Sequence, residues 1–297
     1  MDGFSRRNFF VPMLLTAALA SASQAAKPSF VPPPQVILGQ TGVTMSRLGF
    51  GTGVKSGKKK SAMTKQGFEA FVQLFRHCYD RGITFFDLAD WYGSHPYCRE
   101  ALRYIPREKV SIMTKLWWRS DSHKPGELSI AHRTQSAQAA VNRFRYELQT
   151  DYLDMVLLHC LKKKDWVEEM QPYMDVLNEE KTAGRIKAVG VSCHDFGAMQ
   201  TAAELPWVDV MLARLNPFGV MCDSRPEEVH ALLKKAKHNG KSIIGMKIYG
   251  EGKLVDKREE CMQYAQSSGV LDAMTIGAVS PEQVDENLAL MAKYPVG

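Results

Sequence analysis

The chain has 297 residues, enough for one large α/β domain with a full core or for two smaller domains. Its 45% hydrophobic and 24% charged residues are ordinary for a globular protein and exclude a disordered or fibrous chain. The net charge of +6 is spread along the sequence, with tight clusters only at Lys58-Lys59-Lys60 and Lys162-Lys163-Lys164, which read as solvated loops or helix starts, so nothing argues for nucleic acid as a partner.

In chain order, residues 1–25 read as an export signal. Ser5-Arg6-Arg7-Asn8-Phe9-Phe10 precedes the apolar run from Val11 to Ala20, and both Ala20-Ser21-Ala22 and Ser23-Gln24-Ala25 offer a small-residue cleavage site. The run is too short for a permanent membrane span. The paired arginines resemble a twin-arginine signal, which exports proteins already folded and would place this one in the periplasm. A Sec signal whose basic region holds two arginines is the alternative. Residues 26–35 form a proline-rich linker, expected to be extended and solvated.

Residues 36–297 read as a single catalytic or binding domain. Val36-Ile37-Leu38-Gly39 and Val43-Thr44-Met45-Ser46 flank a glycine-containing loop, as in a short hairpin. Strands then follow at Leu48 to Thr52, Thr84 to Phe86, Val110 to Lys115, Leu153 to Leu158, Ile186 to Val191, Val208 to Leu212, Ser242 to Met246 and Ala273 to Ile276. Amphipathic stretches fall between them at Phe68 to Tyr79, Thr134 to Leu148, Val167 to Lys181, Pro226 to His238 and Pro281 to Met291. This order predicts an α/β fold, a (β/α)8 TIM barrel whose leading β-hairpin plugs the N-terminal end. A doubly wound open sheet is the alternative, and no G-x-G-x-x-G follows the first strand to support it.

Cys78, Cys98, Cys160, Cys193, Cys222 and Cys261 are scattered, with no C-x-x-C and no histidine at metal-ligand spacing. No metal site is expected. Export would permit a disulfide, but the spacing selects no pair, and free buried cysteine is the default.

A barrel carries its chemistry at the C-terminal ends of several strands. Asp87 stands at the end of the second strand, Lys115 at the end of the third and His159 at the end of the fourth, with Tyr92 in the loop after Asp87. An ammonium beside a tyrosine favours the phenolate, and an aspartate beside the lysine keeps that ammonium charged and oriented. Tyr92 would then donate a proton to a carbonyl oxygen while His159 orients it. Since the set contains no nucleophile, electrons must come from a hydride donor.

These residues resemble those of the aldo-keto reductases, and the likeness covers essentially everything after the linker. The family's Asp-Thr-Ala-x-x-Tyr-Gly motif reads here Asp87-Leu88-Ala89-Asp90-Trp91-Tyr92-Gly93, and its lysine and histidine match Lys115 and His159. The resemblance implies a (β/α)8 barrel that binds NADPH or NADH, and a small aldehyde, ketone or alcohol as substrate. Trp117 falls where a family tryptophan lines the substrate pocket, and Trp91 is its expected companion.

The resemblance also implies a cofactor site. Gly51 and Thr52 open the glycine-rich loop after the first strand. Ser192 keeps the serine of the family's Gly-Val-Ser-Asn segment, whereas Cys193 replaces the asparagine and Leu212 stands at the glutamine position, so no second carboxamide contact is expected beside Ser192. Met246 would replace the stacking aromatic. Lys247, Gly250, Gly252 and Leu254 would lie over the pyrophosphate, and Gln283, Glu286 and Asn287 beside the adenosine, with NADP and NAD not distinguished. Arg119 to His132 reads as an insertion over the active-site mouth. The chain ends soon after its last helix, without the long C-terminal loop that many family members carry, which implies a pocket that is open or completed by a partner subunit. A non-catalytic dinucleotide- or small-ligand-binding barrel is the competing reading.

Overall fold

The computed structural model describes residues 30–118 and 127–296. The export signal, the first part of the linker and most of the Arg119 to His132 insertion therefore lie outside the described residues. Gln35–Ile37 (β1) pairs antiparallel with Thr44–Ser46 (β2), Gln35 opposite Ser46 and Ile37 opposite Thr44. The linker thus gives way to strand at Gln35, one residue earlier than its composition suggests.

Eight parallel strands close the barrel: β3 (Leu48–Gly51), β4 (Phe85–Asp87), β5 (Ser111–Leu116), β6 (Leu153–Leu161), β7 (Ile186–Cys193), β8 (Val210–Arg214), β9 (Ser242–Met246) and β10 (Ala273–Ile276). Each pairs with the next, and β10 returns to β3, so no edge is left open. The helices are α1 (Phe68–Asp80), α2 (His95–Leu102), α3 (Ile130–Leu148), α4 (Trp166–Thr182), α5 (Phe196–Glu204), α6 (Pro226–His238), α7 (Arg258–Ser267) and α8 (Pro281–Lys293). The fold is a (β/α)8 TIM barrel with an N-terminal β-hairpin. Among the described residues no helix is long and apolar enough to cross a membrane.

The alternation of strand side chains divides the core into two clusters. Phe85, Met113, Met155, Leu157, Ala188, Val210, Leu212, Ile244 and Met246 fill the barrel, and Leu38, Val43 and Met45 of the hairpin join them from below. Phe86, Ile112, Val156, Val191, Met211 and Ile243 face outward and pack beneath the helices. The hairpin is thus a plug that shields the barrel floor from water, and the chemistry is left to the opposite end.

Helices α2, α5 and α7 escape the sequence pattern. They span 8, 9 and 10 residues, too few turns for a clear apolar stripe. Their ends are more legible than their faces: Asp195 Oδ1 accepts the Ala198 N–H at 2.8 Å to start α5, and Ser129 Oγ accepts the His132 N–H at 3.2 Å to start α3. The last residues of the expected insertion, from Ile130, are therefore the first turn of α3.

Candidate active site

Asp87, Lys115 and His159 share the inward alternation of Phe85, Met113 and Met155, which puts all three at the top of the barrel interior. Asp87 is level with Met113 across the β4–β5 pairing, one inward position below Lys115. Strand β6 carries a register shift between Leu158 and Leu161, and Cys160 there has a φ of 62°. This bulge sits directly after His159, in the manner by which strand ends re-aim functional side chains.

Lys115 is 1% exposed, and its Nζ is held by the Asp87 carboxylate, by the Leu88 carbonyl at 2.9 Å and by the Tyr92 hydroxyl at 3.4 Å. A buried ammonium survives only with such partners. Burial pushes the Asp87 carboxyl upward, opposed by the charge and hydrogen bond of Lys115.

Tyr92 departs from the sequence expectation. Burial raises its phenol well above the ordinary tyrosine value, and the Asp87 charge adds to the shift. An ammonium beside the phenol is expected to favour the phenolate and ease proton donation. The geometry explains the reversal, because Nζ is bonded to Asp87 and Leu88 and is most distant from Tyr92. Tyr92 therefore keeps its proton, as a proton donor must. His159 is held neutral: burial, then the positive charges of Lys115 and Lys247, lower its pKa far below the ordinary histidine value.

Two glycines let Tyr92 reach this position. A Cβ on Gly53 would lie 2.5 Å from the Tyr92 ring, and one on Gly93 would lie 2.0 Å from the Lys59 carbonyl oxygen, with Gly93 also at φ +66°. Gly93→Ala is expected to cost about 1–3 kcal/mol of stability, read as a lower urea midpoint, and to impair turnover as well.

A partly buried ionic chain lies behind the loop, beyond what sequence spacing announces. Arg143 of α3 forks onto Asp90 at 2.8 and 2.9 Å, and Lys59 bonds the same carboxylate. Burial alone would raise the Asp90 pKa, but Arg143 and Lys59 outweigh it and hold the carboxyl below the usual range. Glu147 accepts from Arg143 at 3.3 Å and pairs with His95 Nδ1 at 2.7 Å, and His95 Nε2 meets Thr114 Oγ1 at 2.7 Å, next to Lys115. Arg143 and Glu147 are an i, i+4 pair that sequence could have flagged. Their link to Asp90 and His95 is tertiary.

Trp91 and Trp117 stack with ring centroids 4.6 Å apart, and the Trp117 ring meets His159 edge-on at 5.4 Å. Tyr92 meets the same imidazole edge-on at 5.7 Å. The two half-buried indoles thus form a largely apolar wall against the polar cluster.

The cofactor candidates fall into two groups. At the barrel top, Ser192 Oγ and His159 Nδ1 are buried with no hydrogen-bond partner among the described residues, which leaves both able to bond a polar ligand. Leu212 and Met246 belong to the inner cluster, whereas Cys193 packs with the helix-facing core. Thr52 is buried, its hydroxyl bonded to the Asp87 carbonyl and to Ser94 Oγ, both at 2.9 Å, and Gly51 lies beside the Thr275 hydroxyl. On the outer side the candidates already have partners. Gln283 Oε1 accepts the Val279 N–H at 2.9 Å, Arg258 binds Glu286 at 2.5 Å, and Tyr249 donates to Asn287 Oδ1 at 2.9 Å. Lys247, at φ +53°, pairs with Glu251 at 2.5 Å across a turn in which Gly250, Glu251 and Gly252 also take positive φ, and Leu254 packs against Gly250. The residues fit the nicotinamide end of a dinucleotide. The outer residues would have to exchange internal bonds for the adenosine end.

Residues 47–270 match the family model described as Aldo/keto reductase family. Aldo-keto reductase YhdN of Bacillus subtilis is 28% identical over 173 residues, 55% of this chain and 48% of its own length. The NADH-specific methylglyoxal reductase of Escherichia coli is 26% identical over 61% of this chain and 59% of its own, and L-galactose dehydrogenase of Arabidopsis thaliana 22% over 86% and 87%. The chain spans about half the length of the first curated relatives it matches. Among solved structures, aldo-keto reductase AKR11C1 from Bacillus halodurans in its holo form superposes with a TM-score of 0.67 at 21% identity, covering 89% of this chain and 93% of that one. A barrel top that keeps Asp87, Tyr92, Lys115 and His159 together, within a span that the family model covers from Arg47 to Val270, places this chain in the aldo/keto reductase family.

Proposed function

We propose that the protein transfers hydride between NAD(P)H and an aldehyde or ketone, or runs the reverse alcohol oxidation, with Tyr92 as general acid and base. The observation that carries this reading is the buried Lys115 ammonium held between Asp87, Leu88 and Tyr92. A binding module has no use for so costly a cluster. In the reducing direction Tyr92 donates its proton to the carbonyl oxygen as negative charge grows there, and the neutral imidazole of His159 orients that oxygen. Lys115, held by Asp87, bonds the hydroxyl and meets the negative charge it acquires. Trp91 and Trp117 exclude water from the substrate side.

A bound nicotinamide dinucleotide would supply the hydride. Ser192 would hold its carboxamide, Met246 and Leu212 its apolar face, and Lys247 with the Gly250–Gly252 turn its phosphates. Aldo/keto reductases generally use NADP(H) or NAD(H), and the methylglyoxal reductase similar to this chain is NADH-specific. Titration with each nucleotide, followed by tryptophan fluorescence, is expected to show saturable binding, with Trp91 and Trp117 beside the site as reporters. No response to either nucleotide would favour a non-catalytic barrel, a reading supported by the internal bonds of Gln283, Glu286 and Asn287.

The paired arginines Arg6 and Arg7 before a short apolar run support a further reading, export of the folded protein to the periplasm through a twin-arginine signal. Replacing both arginines by lysine is expected to leave the protein in the cytoplasm, as fractionation would show.

A further inference from the structure

The carbonyl chemistry above makes no use of a thiol–imidazole pair beside it. Cys160 follows His159 at the bulge of β6, where its φ of 62° takes it off the regular strand path. Its Sγ lies 3.6 Å from Nε2 of His194, the first residue beyond β7. Both residues are half-buried, whereas Cys78, Cys98, Cys193 and Cys261 are buried. The sulfur belongs to the residue that directly follows His159.

The surrounding charges suit a reactive thiol. Burial, followed by Lys247, Arg214, Lys162 and Lys115, brings the His194 pKa down to about 2, so the imidazole is neutral. A neutral ring with its proton on Nε2 donates a hydrogen bond to the Cys160 sulfur and strengthens it as a nucleophile. Glu251, Asp223 and Asp87 pair with Lys247, Arg214 and Lys115 and temper this field without reversing its sign at His194.

We propose that Cys160, assisted by His194, is a second nucleophilic site at the barrel mouth that captures aldehydes as reversible thiohemiacetals. The aldehyde class rests on the reductase reading. In the step, Sγ bonds to the carbonyl carbon as the C=O π bond breaks. The thiol proton is lost to solvent, and the new alkoxide oxygen takes up one proton from solvent. Nothing is oxidised or reduced, and reversal returns the aldehyde and the thiol. Ketones, more hindered and less electrophilic, add poorly, so the pair distinguishes two substrates that the tetrad treats alike.

The test is alkylation of the purified protein by iodoacetamide at neutral pH without nucleotide, with each cysteine followed by peptide mass spectrometry. Cys160 is expected to react about tenfold or more faster than Cys222, the other half-buried cysteine. Millimolar butanal should slow labelling of Cys160, and butanone at the same concentration should not. His194→Leu should slow labelling and His194→Gln, which restores a donor, should recover it. The aldehyde comparison uses the unaltered chain and so does not depend on the variants folding. Labelling of Cys160 no faster than Cys222, or equal protection by butanal and butanone, or none by either, overturns the proposal. Because no turnover is involved, absent carbonyl reduction with selective labelling intact counts against the reductase reading alone, and the converse result removes only the thiol site.

Discussion

Tyr92→Phe is expected to lower carbonyl reduction by about 10²–10⁴-fold while nucleotide binding is unchanged. The substitution removes one oxygen and leaves the ring packed against Gly53 and edge-on to His159. Loss of turnover would then report the lost proton donor and not a collapsed loop. The pH dependence sharpens the test. Burial and Asp87 raise the Tyr92 pKa, so the phenol keeps its proton through the neutral range and well into alkali. The lowered pKa of His159 keeps its ring neutral over the same range. Steady-state reduction should therefore be flat between about pH 6 and about pH 9, with neither group titrating there. A variant that keeps wild-type turnover would falsify the assignment of Tyr92 as the acid.

The barrel was legible from sequence because a period of two is strong in strands such as Leu153–Leu161, where Met155 and Leu157 face inward and Val156 and Leu158 face out. The same alternation made the tetrad readable: once Phe85 and Met113 face the barrel interior, Asp87 and Lys115 must face it too. What sequence could not supply was the balance of forces at each group. Composition and spacing put Lys115 near Tyr92, but only geometry shows that Nζ is bonded to Asp87 and Leu88, which leaves burial and the Asp87 charge to raise the Tyr92 pKa. The Asp90–Arg143–Glu147–His95 chain was invisible for a similar reason, since it joins the loop after β4 to two helices through contacts up to 53 residues apart. The Cys160–His194 pair depends on a bulge that no residue preference announces.

Lys115→Met should harm both stability and activity. The methionine fills most of the lysine's volume but leaves the Asp87 carboxylate buried without its cation. Removing one partner of a buried pair typically costs about 3–5 kcal/mol. The effect depends on pH in a definite sense. Asp87 already has a raised pKa in the folded state, and Lys115 is the main force opposing that rise, so its removal lifts the pKa further. The folded variant then binds a proton that the unfolded chain releases, and its stability falls as pH rises from the unfolded aspartate value through the folded one. Urea unfolding should find the deficit of Lys115→Met small in acid and full at alkaline pH. The double variant Asp87→Asn with Lys115→Met should recover part of the stability, because two neutral side chains leave no unpaired charge, but none of the turnover, because nothing then orients Tyr92 or meets its charge. If Lys115→Met is as stable as the parent at every pH and the double variant is no better, the pair is not the electrostatic centre of this site. Recovery of stability without recovery of activity would separate the two roles of Lys115, which neutralises a buried acid in the folded chain and positions a proton donor in the reaction.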